Sequence, residues 1–80
     1  MSLPVLLFAS YADAFGTRRV DVPVRLPCAV REVIAMLRGL PGGSVLPPDP
    51  LVAVNHEFVR GEVTIVAGDE VALIPPVAGG

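Results

Sequence analysis

The C-terminal segment Pro75-Pro76-Val77-Ala78-Gly79-Gly80 holds the residue types best suited to chemistry. The two prolines fix φ twice and remove two N–H donors, so they should end sheet pairing and direct the chain outward. Gly79 and Gly80 lack a Cβ, so their backbone fits a narrow channel in many conformations. Six extended residues reach about 20 Å, which would carry the Gly80 carboxylate into a partner's active site. We therefore predict that Gly80 is the reacting residue. A glycine tail that merely frays is the commonest alternative.

Side chains give little support for catalysis. Cys28 and His56 are the only cysteine and histidine. A helix start would lower the pKa of the Cys28 thiol, but a small apolar side chain at a helix entry is the preferred interpretation. His56 beside Glu57 is interpreted as a solvated pair, and Asp69-Glu70 is a weak cation signal.

Metal and phosphate motifs are missing from the sequence. No cysteine and histidine spacing indicates zinc. Pro41-Gly42-Gly43-Ser44 lacks the spacing and the lysine of a phosphate-binding loop. We therefore expect no bound metal and no bound cofactor.

The composition indicates one small domain over residues 1–80, with 52% apolar residues and a net charge of -2. This charge offers no basic surface for nucleic acid. A lone Cys28 fits a reducing compartment, no signal peptide is evident, and no apolar run approaches the ~20 residues that span a bilayer. We expect a soluble, cytoplasmic protein that binds neither nucleic acid nor membrane.

Two segments predict an N-terminal hairpin. Residues 5–9 form a short apolar run typical of a covered strand. Residues 10–17 are predicted to be a connection. Residues 19–26 alternate at period 2, with four apolar side chains on one face. Pro23 within this strand favours an edge position or a bulge.

The period changes to that of a helix after Pro27. Val30, Val33, Ile34 and Leu37 form one helical stripe, with Gly39 as the stop and a weak cap at Ala29. Residues 41–50 are predicted to be a loop, residues 51–54 a strand, 55–57 a turn and 58–59 a short strand. Gly68-Asp69 signals a turn before a last strand over residues 70–75. One helix cannot cover both faces of a sheet, so a two-layer α+β domain is predicted.

Three stretches of this chain resemble the small ubiquitin-like sulfur carriers of the MoaD/ThiS family, specifically the MoaD-type small subunit of molybdopterin synthase. They are Val5-Leu6-Leu7-Phe8-Ala9, Ala53-Val54-Asn55 and Gly68-Asp69-Glu70-Val71-Ala72-Leu73-Ile74-Pro75-Pro76-Val77-Ala78-Gly79-Gly80. The resemblance is weak only over residues 38–51. It implies a β-grasp fold, with a mixed four- to five-stranded sheet, one main helix across one face and a flexible tail over residues 75–80.

The resemblance also implies a mechanism. An E1-like adenylyltransferase uses ATP to adenylate the Gly80 carboxylate, and a sulfur donor system converts the adenylate into a thiocarboxylate. The MoaE-like large subunit of molybdopterin synthase then accepts the tail, and sulfur passes to a pterin precursor. Residues 75–79 would be recognised as the tail. No catalytic side chain of the carrier is required.

Two local features are interpreted from the same resemblance. The stretch 63–66 has strand propensity, but relatives usually have a turn there with an apolar residue at Ile65, and we adopt the turn. Relatives often carry Thr at the helix cap, where this chain has Ala29.

Phe8, Phe58 and Ile74 are predicted to form a partner-contact patch on the outer sheet face, opposite Leu7 and Leu73. The alternative places all three in the core. Two other functions stay open, namely a sulfur carrier for thiamine or cysteine biosynthesis and a ubiquitin-like binding module without covalent chemistry.

Overall fold

The computed structural model describes residues 2–76. The strands are β1 (Ser2–Leu7), β2 (Arg19–Pro23), β3 (Cys28–Ala29), β4 (Leu51–Val54), β5 (Glu57–Val59), β6 (Thr64–Ile65) and β7 (Val71–Ile74). The helices are α1 (Ala9–Phe15) and α2 (Val30–Arg38), with a 3-10 helix at Gly43–Val45. No helix in this part of the chain is long and apolar enough to cross a bilayer.

Five strands form one mixed sheet in the order β2-β1-β7-β4-β5. β1 and β7 are parallel, with Leu7 opposite Leu73, whereas the other neighbours are antiparallel. Among the described residues, the first strand, β1, and the last strand, β7, therefore both lie inside the sheet with a neighbour on each side. β2 is an edge strand, which agrees with the position predicted for Pro23.

The core lies between α2 and the inner sheet face. The predicted stripe is buried, with Val30, Val33, Ile34 and Leu37 no more than 5% exposed. It packs in one cluster with Val5, Leu7, Val52, Val71 and Leu73 of the sheet. The apolar residues that recur every 3.6 positions on the helix and every second position on the strands thus pack together in one layer. This packing confirms the α+β architecture.

The start of α2 is held by backbone and carboxylate acceptors. The N–H groups of Val30 and Arg31 donate to the carbonyls of Val63 and Gly61, each at 2.9 Å. The Ala29 N–H donates to Glu32 Oε2 at 2.7 Å. The side-chain cap is therefore weak, as predicted. The N–H groups at the start of the helix are paired with these carbonyl and carboxylate oxygens instead, so apolar packing alone does not hold this end.

The prediction of a connection over residues 10–17 is wrong, because most of it is helix α1. Tyr11 is 4% exposed and anchors this helix in the core. Gly16 ends it with φ 75° while its N–H donates to the Ala12 carbonyl at 2.9 Å. The predicted turn former therefore acts as a left-handed helix terminator.

The boundaries of four strands also differ from the prediction. β5 begins at Glu57, which was predicted to lie in the turn, and β7 spans Val71–Ile74 rather than residues 70–75. β1 begins at Ser2 and ends at Leu7, because Phe8 is the N-cap residue of α1. β2 ends at Pro23, short of the predicted residue 26. The stretch 63–66 is not simply a turn, since Thr64–Ile65 pairs antiparallel with Cys28–Ala29. Ile65 is fully buried, as the resemblance implied.

Candidate functional site

The outer sheet face carries one continuous row of side chains across four strands. In register, Leu6 lies beside Ala72, Ala72 beside Ala53, and Ala53 beside Phe58. Because successive residues of a strand point to opposite faces, this row lies opposite the buried layer. Ala53 and Ala72 are nevertheless only 7% and 8% exposed. Taller neighbours therefore shield them, and the face is concave there.

The structure places the three predicted patch residues around this concavity. Phe8, Phe58 and Ile74 line it together with Ala53 and Ala72, and His56 and Glu70 complete the lining. Phe8 is 47% exposed and Phe58 is 65% exposed, whereas Ile74 is half-buried. Leu7 and Leu73, on the opposite face, are at most 2% exposed. The alternative that Phe8 and Phe58 belong to the core does not hold.

The predicted tail begins beside this patch. Because Leu7 pairs with Leu73, the residues that follow, Phe8 and Ile74, lie at the same end of adjacent strands. Pro75 and Pro76 come next and leave the sheet, half-buried and exposed respectively. The other tail predictions, Val77, Ala78, Gly79 and Gly80, lie outside the described residues.

The rim of the concavity is held by a polar cluster. Asp69 Oδ2 accepts from the Val66 N–H and Asp69 Oδ1 from Asn55 Nδ2, both at 2.9 Å. These two hydrogen bonds hold the pKa of the Asp69 carboxyl below its usual value. Next to it, His56 Nε2 lies 3.5 Å from Glu70 Oε2.

The structure does not support Cys28 as a nucleophile. Its side chain is 8% exposed and belongs to the core cluster. Burial, followed by the nearby Glu32 charge, raises the pKa of the Cys28 thiol, the opposite of what a reactive cysteine needs. His56 pairs with Glu70 instead of Cys28. Among residues 2–76 no group of three or more metal-ligating side chains comes together.

Sequence reasoning missed four residues of the concavity. Ala53, Ala72, His56 and Glu70 line it beside the three predicted residues. The sequence did contain a signal for Ala72, which lies two positions before Ile74 and so shares its face of the strand. The places of Ala53 and His56 could be found only from the pairing register of β4 with β7 and β5.

Comparisons with known proteins identify the family of this chain. A model of the ThiS family matches residues 5–80. The chain belongs to the ThiS family. A curated relative of this ThiS-family chain is the molybdopterin synthase sulfur carrier subunit of Escherichia coli. The two are 32% identical, with 98% of this chain and 99% of the relative covered.

Solved structures confirm the ubiquitin-like β-grasp fold of this ThiS-family chain. SAMP1 of Haloferax volcanii matches with a TM-score of 0.82 and 31% identity, and 100% of both chains is covered. A chain from the complex of subunits 1 and 2 of molybdopterin-converting factor from Helicobacter pylori matches with a TM-score of 0.72. That match covers 100% of each chain at 21% identity, so it is a likeness of fold.

Proposed function

We propose that this chain is the sulfur-carrier subunit of a molybdopterin synthase, with the Gly80 carboxylate as the group that carries sulfur. The observation that carries the proposal is the near full-length match to the E. coli sulfur carrier subunit. The family match extends to residue 80, and Pro75-Pro76 leaves a central strand at the outer-face patch.

The proposed reaction begins with adenylation. A Gly80 carboxylate oxygen attacks the α-phosphate of ATP in the E1-like enzyme, and pyrophosphate leaves. Sulfide-level sulfur from a donor then attacks the acyl carbon, and AMP leaves with the electron pair of the broken bond. The product is a thiocarboxylate, whose sulfur is a stronger nucleophile than a carboxylate oxygen. Because the first step uses ATP, the proposal places the protein in the cytoplasm.

Sulfur transfer completes the cycle. The thiocarboxylate sulfur attacks an electrophilic carbon of the pterin precursor, and the bond from that carbon to an oxygen leaving group breaks as the C–S bond forms. Water then cleaves the acyl–sulfur bond. Sulfur remains on the pterin, and the Gly80 carboxylate is restored. The active site of the large subunit would orient the two reacting groups, so the carrier supplies a docking surface and a reachable terminus.

The outer-face patch of Phe8, Phe58 and Ile74 is the proposed docking surface for the large subunit. Exposed aromatic side chains next to a buried floor are typical of binding surfaces. The H. pylori neighbour, which belongs to a complex of two subunits, supports a partner of this kind. Docking there would direct the tail into the partner, because Pro75 follows Ile74 directly.

Incubation with an E1-like adenylyltransferase, ATP and a sulfur donor tests the proposal. Intact mass spectrometry first establishes that Gly80 carries the free carboxylate. After incubation, the mass should rise by the difference between one sulfur and one oxygen atom. A variant that lacks Gly79 and Gly80 is the control and should show no shift. An unchanged wild-type mass, or a shift that persists in the control, contradicts the carrier function and favours a non-covalent binding module.

Reconstitution separates the sulfur pathways. Two equivalents of the thiocarboxylated chain, with the large subunit and the pterin precursor, should yield the dithiolene product, because each carrier delivers one of its two sulfur atoms. Sulfur transfer only in a thiamine or cysteine biosynthesis system would instead assign the carrier to that pathway.

A second candidate function is protein modification. The match to SAMP1, a small archaeal modifier protein, favours it, since it covers all of both chains at 31% identity. An activated Gly80 would then be attacked by a lysine amine of a target protein, and AMP would leave. Because the last basic residue is Arg60, trypsin would leave residues 61–80 attached to that lysine. Mass spectrometry of this branched peptide tests the candidate.

A further inference from the structure

The concavity on the outer face is made by a contrast in side-chain size. Its floor is Ala53 and Ala72, adjacent in register on β4 and β7. Its walls are Phe8, Phe58 and Ile74. We call these five residues the alanine socket. Its volume is about 220 Å³, and a cavity of about 150 Å³ already holds a benzene molecule. The socket therefore has room for a side chain of that size.

The ionisable residues that line the socket lie on one side of it. Glu70 and His56 stand at its rim, with the Glu70 side chain 50% exposed. Backbone bonds and Asn55 hold this rim in place, since the Glu70 N–H donates to Asn55 Oδ1 at 2.9 Å and its carbonyl accepts from the Asn55 N–H at 2.8 Å. A positive group beside the inserted side chain would thus meet a half-exposed carboxylate at a defined position, where His56 Nε2 already lies 3.5 Å from Glu70 Oε2.

We propose that the alanine socket receives one apolar side chain that projects from the large synthase subunit, next to a basic residue that pairs with Glu70. This inference rests on the proposed function and specifies the chemistry of its partner. It differs from a general apolar contact in the predicted effect of a larger side chain on binding. On a flat apolar surface, changing an alanine to leucine adds contact area and should not weaken binding. In a socket, the leucine side chain fills the space that the partner's side chain would occupy.

The affinity of the carrier for the purified large subunit, measured by isothermal titration calorimetry, tests the socket. Ala72→Leu and Ala53→Leu should each raise Kd about tenfold or more, because central, well-packed positions dominate binding energy. Ala35→Leu, the same change at an exposed position of α2, is the matched control and should leave Kd unchanged. Glu70→Gln should raise Kd about threefold and weaken its dependence on salt.

Equal or tighter binding by folded Ala72→Leu and Ala53→Leu overturns the socket. An unchanged salt dependence in Glu70→Gln overturns the basic neighbour. If the leucine variants do not fold, Ala72→Val and Ala53→Val replace them, because valine adds less volume. Each should still raise Kd, and binding equal to that of the wild type again overturns the socket.

The failures of the two proposals are distinguishable. A wild-type chain that is never thiocarboxylated contradicts the proposed function. A wild-type chain that is thiocarboxylated and binds the large subunit, while Ala72→Leu binds equally well, contradicts only the socket.

Discussion

Asn55 and Asp69, which lie 14 positions apart, are joined side chain to side chain by a hydrogen bond of 2.9 Å from Nδ2 to Oδ1. Asp69 also accepts from the Val66 N–H, and Asn55 accepts from the Glu70 N–H. The cluster ties the turn between β4 and β5 to the start of β7. It thereby holds one rim of the docking surface.

Stability should fall in acid as Asp69 is protonated. Its hydrogen bonds lower the pKa of this carboxyl in the folded state. Their contribution is therefore present above the unfolded pKa of about 3.9 and is lost as the pH falls through the folded value. Urea unfolding at neutral pH and in acid measures the effect. Asp69→Asn should lose stability at neutral pH and show a smaller further loss in acid, and an equal acid loss in both proteins contradicts the assignment.

Gly43→Ala should destabilise the fold by about 1–3 kcal/mol or more, because an added methyl group has no room. A Cβ there would collide with the Leu37 carbonyl oxygen and lie 2.8 Å from the Arg38 Cα. Gly39→Ala is the control, since its nearest atom would be the Met36 carbonyl oxygen at 3.5 Å. Thermal unfolding of both variants is the measurement. Equal melting temperatures of the two variants would contradict the prediction, because they would show that the 3-10 helix shifts to accommodate the added methyl group at little cost.

Cys28 should react slowly with alkylating reagents in the folded protein and rapidly in denaturant. Its thiol is buried and its pKa is raised, so little thiolate is exposed. Cys28→Ala should still accept sulfur at Gly80, as followed by intact mass. A variant that folds but no longer accepts sulfur would implicate the thiol in the chemistry.

Phe58→Ser should lower affinity for the large subunit about tenfold, which corresponds to about 1.4 kcal/mol. Because Phe58 is 65% exposed, the free energy of unfolding should change by less than about 1 kcal/mol. Met36→Ser on α2, at a position 40% exposed, is the control and should leave affinity unchanged.

Phe8→Ser tests the other wall of the same surface by the same titration and by urea unfolding. Its 47% exposure predicts a weakened complex and a folded carrier. A variant that fails to fold would contradict this prediction and remove Phe8 from the docking surface. Unchanged affinity in a folded variant would remove it as well.

Local patterns in the sequence predicted the elements with clear periodicity. The stripe on α2 is buried as expected, and so are Val5 and Leu7 of β1 and the central residues of β4 and β7, because period and hydrophobicity are set by neighbouring residues. Leu51 at the start of β4 is an exception at 48% exposure. Helix α1 was missed, since its seven residues bury Tyr11 and half-bury Phe15 without a repeated stripe. The pairing of Thr64–Ile65 with Cys28–Ala29 was missed because a two-residue ladder has almost no local signal.

The sequence by itself determined which side chains are apolar, which face of each strand they share, and that Pro75-Pro76 precedes Gly79-Gly80. Only the tertiary structure decided that β7 lies between β1 and β4. That order brings Phe8, Ile74 and Phe58 around Ala53 and Ala72 and starts the tail beside them. The physical reason is that strand order depends on long-range hydrogen bonding and on burial beneath α2, which no local spacing of residues contains.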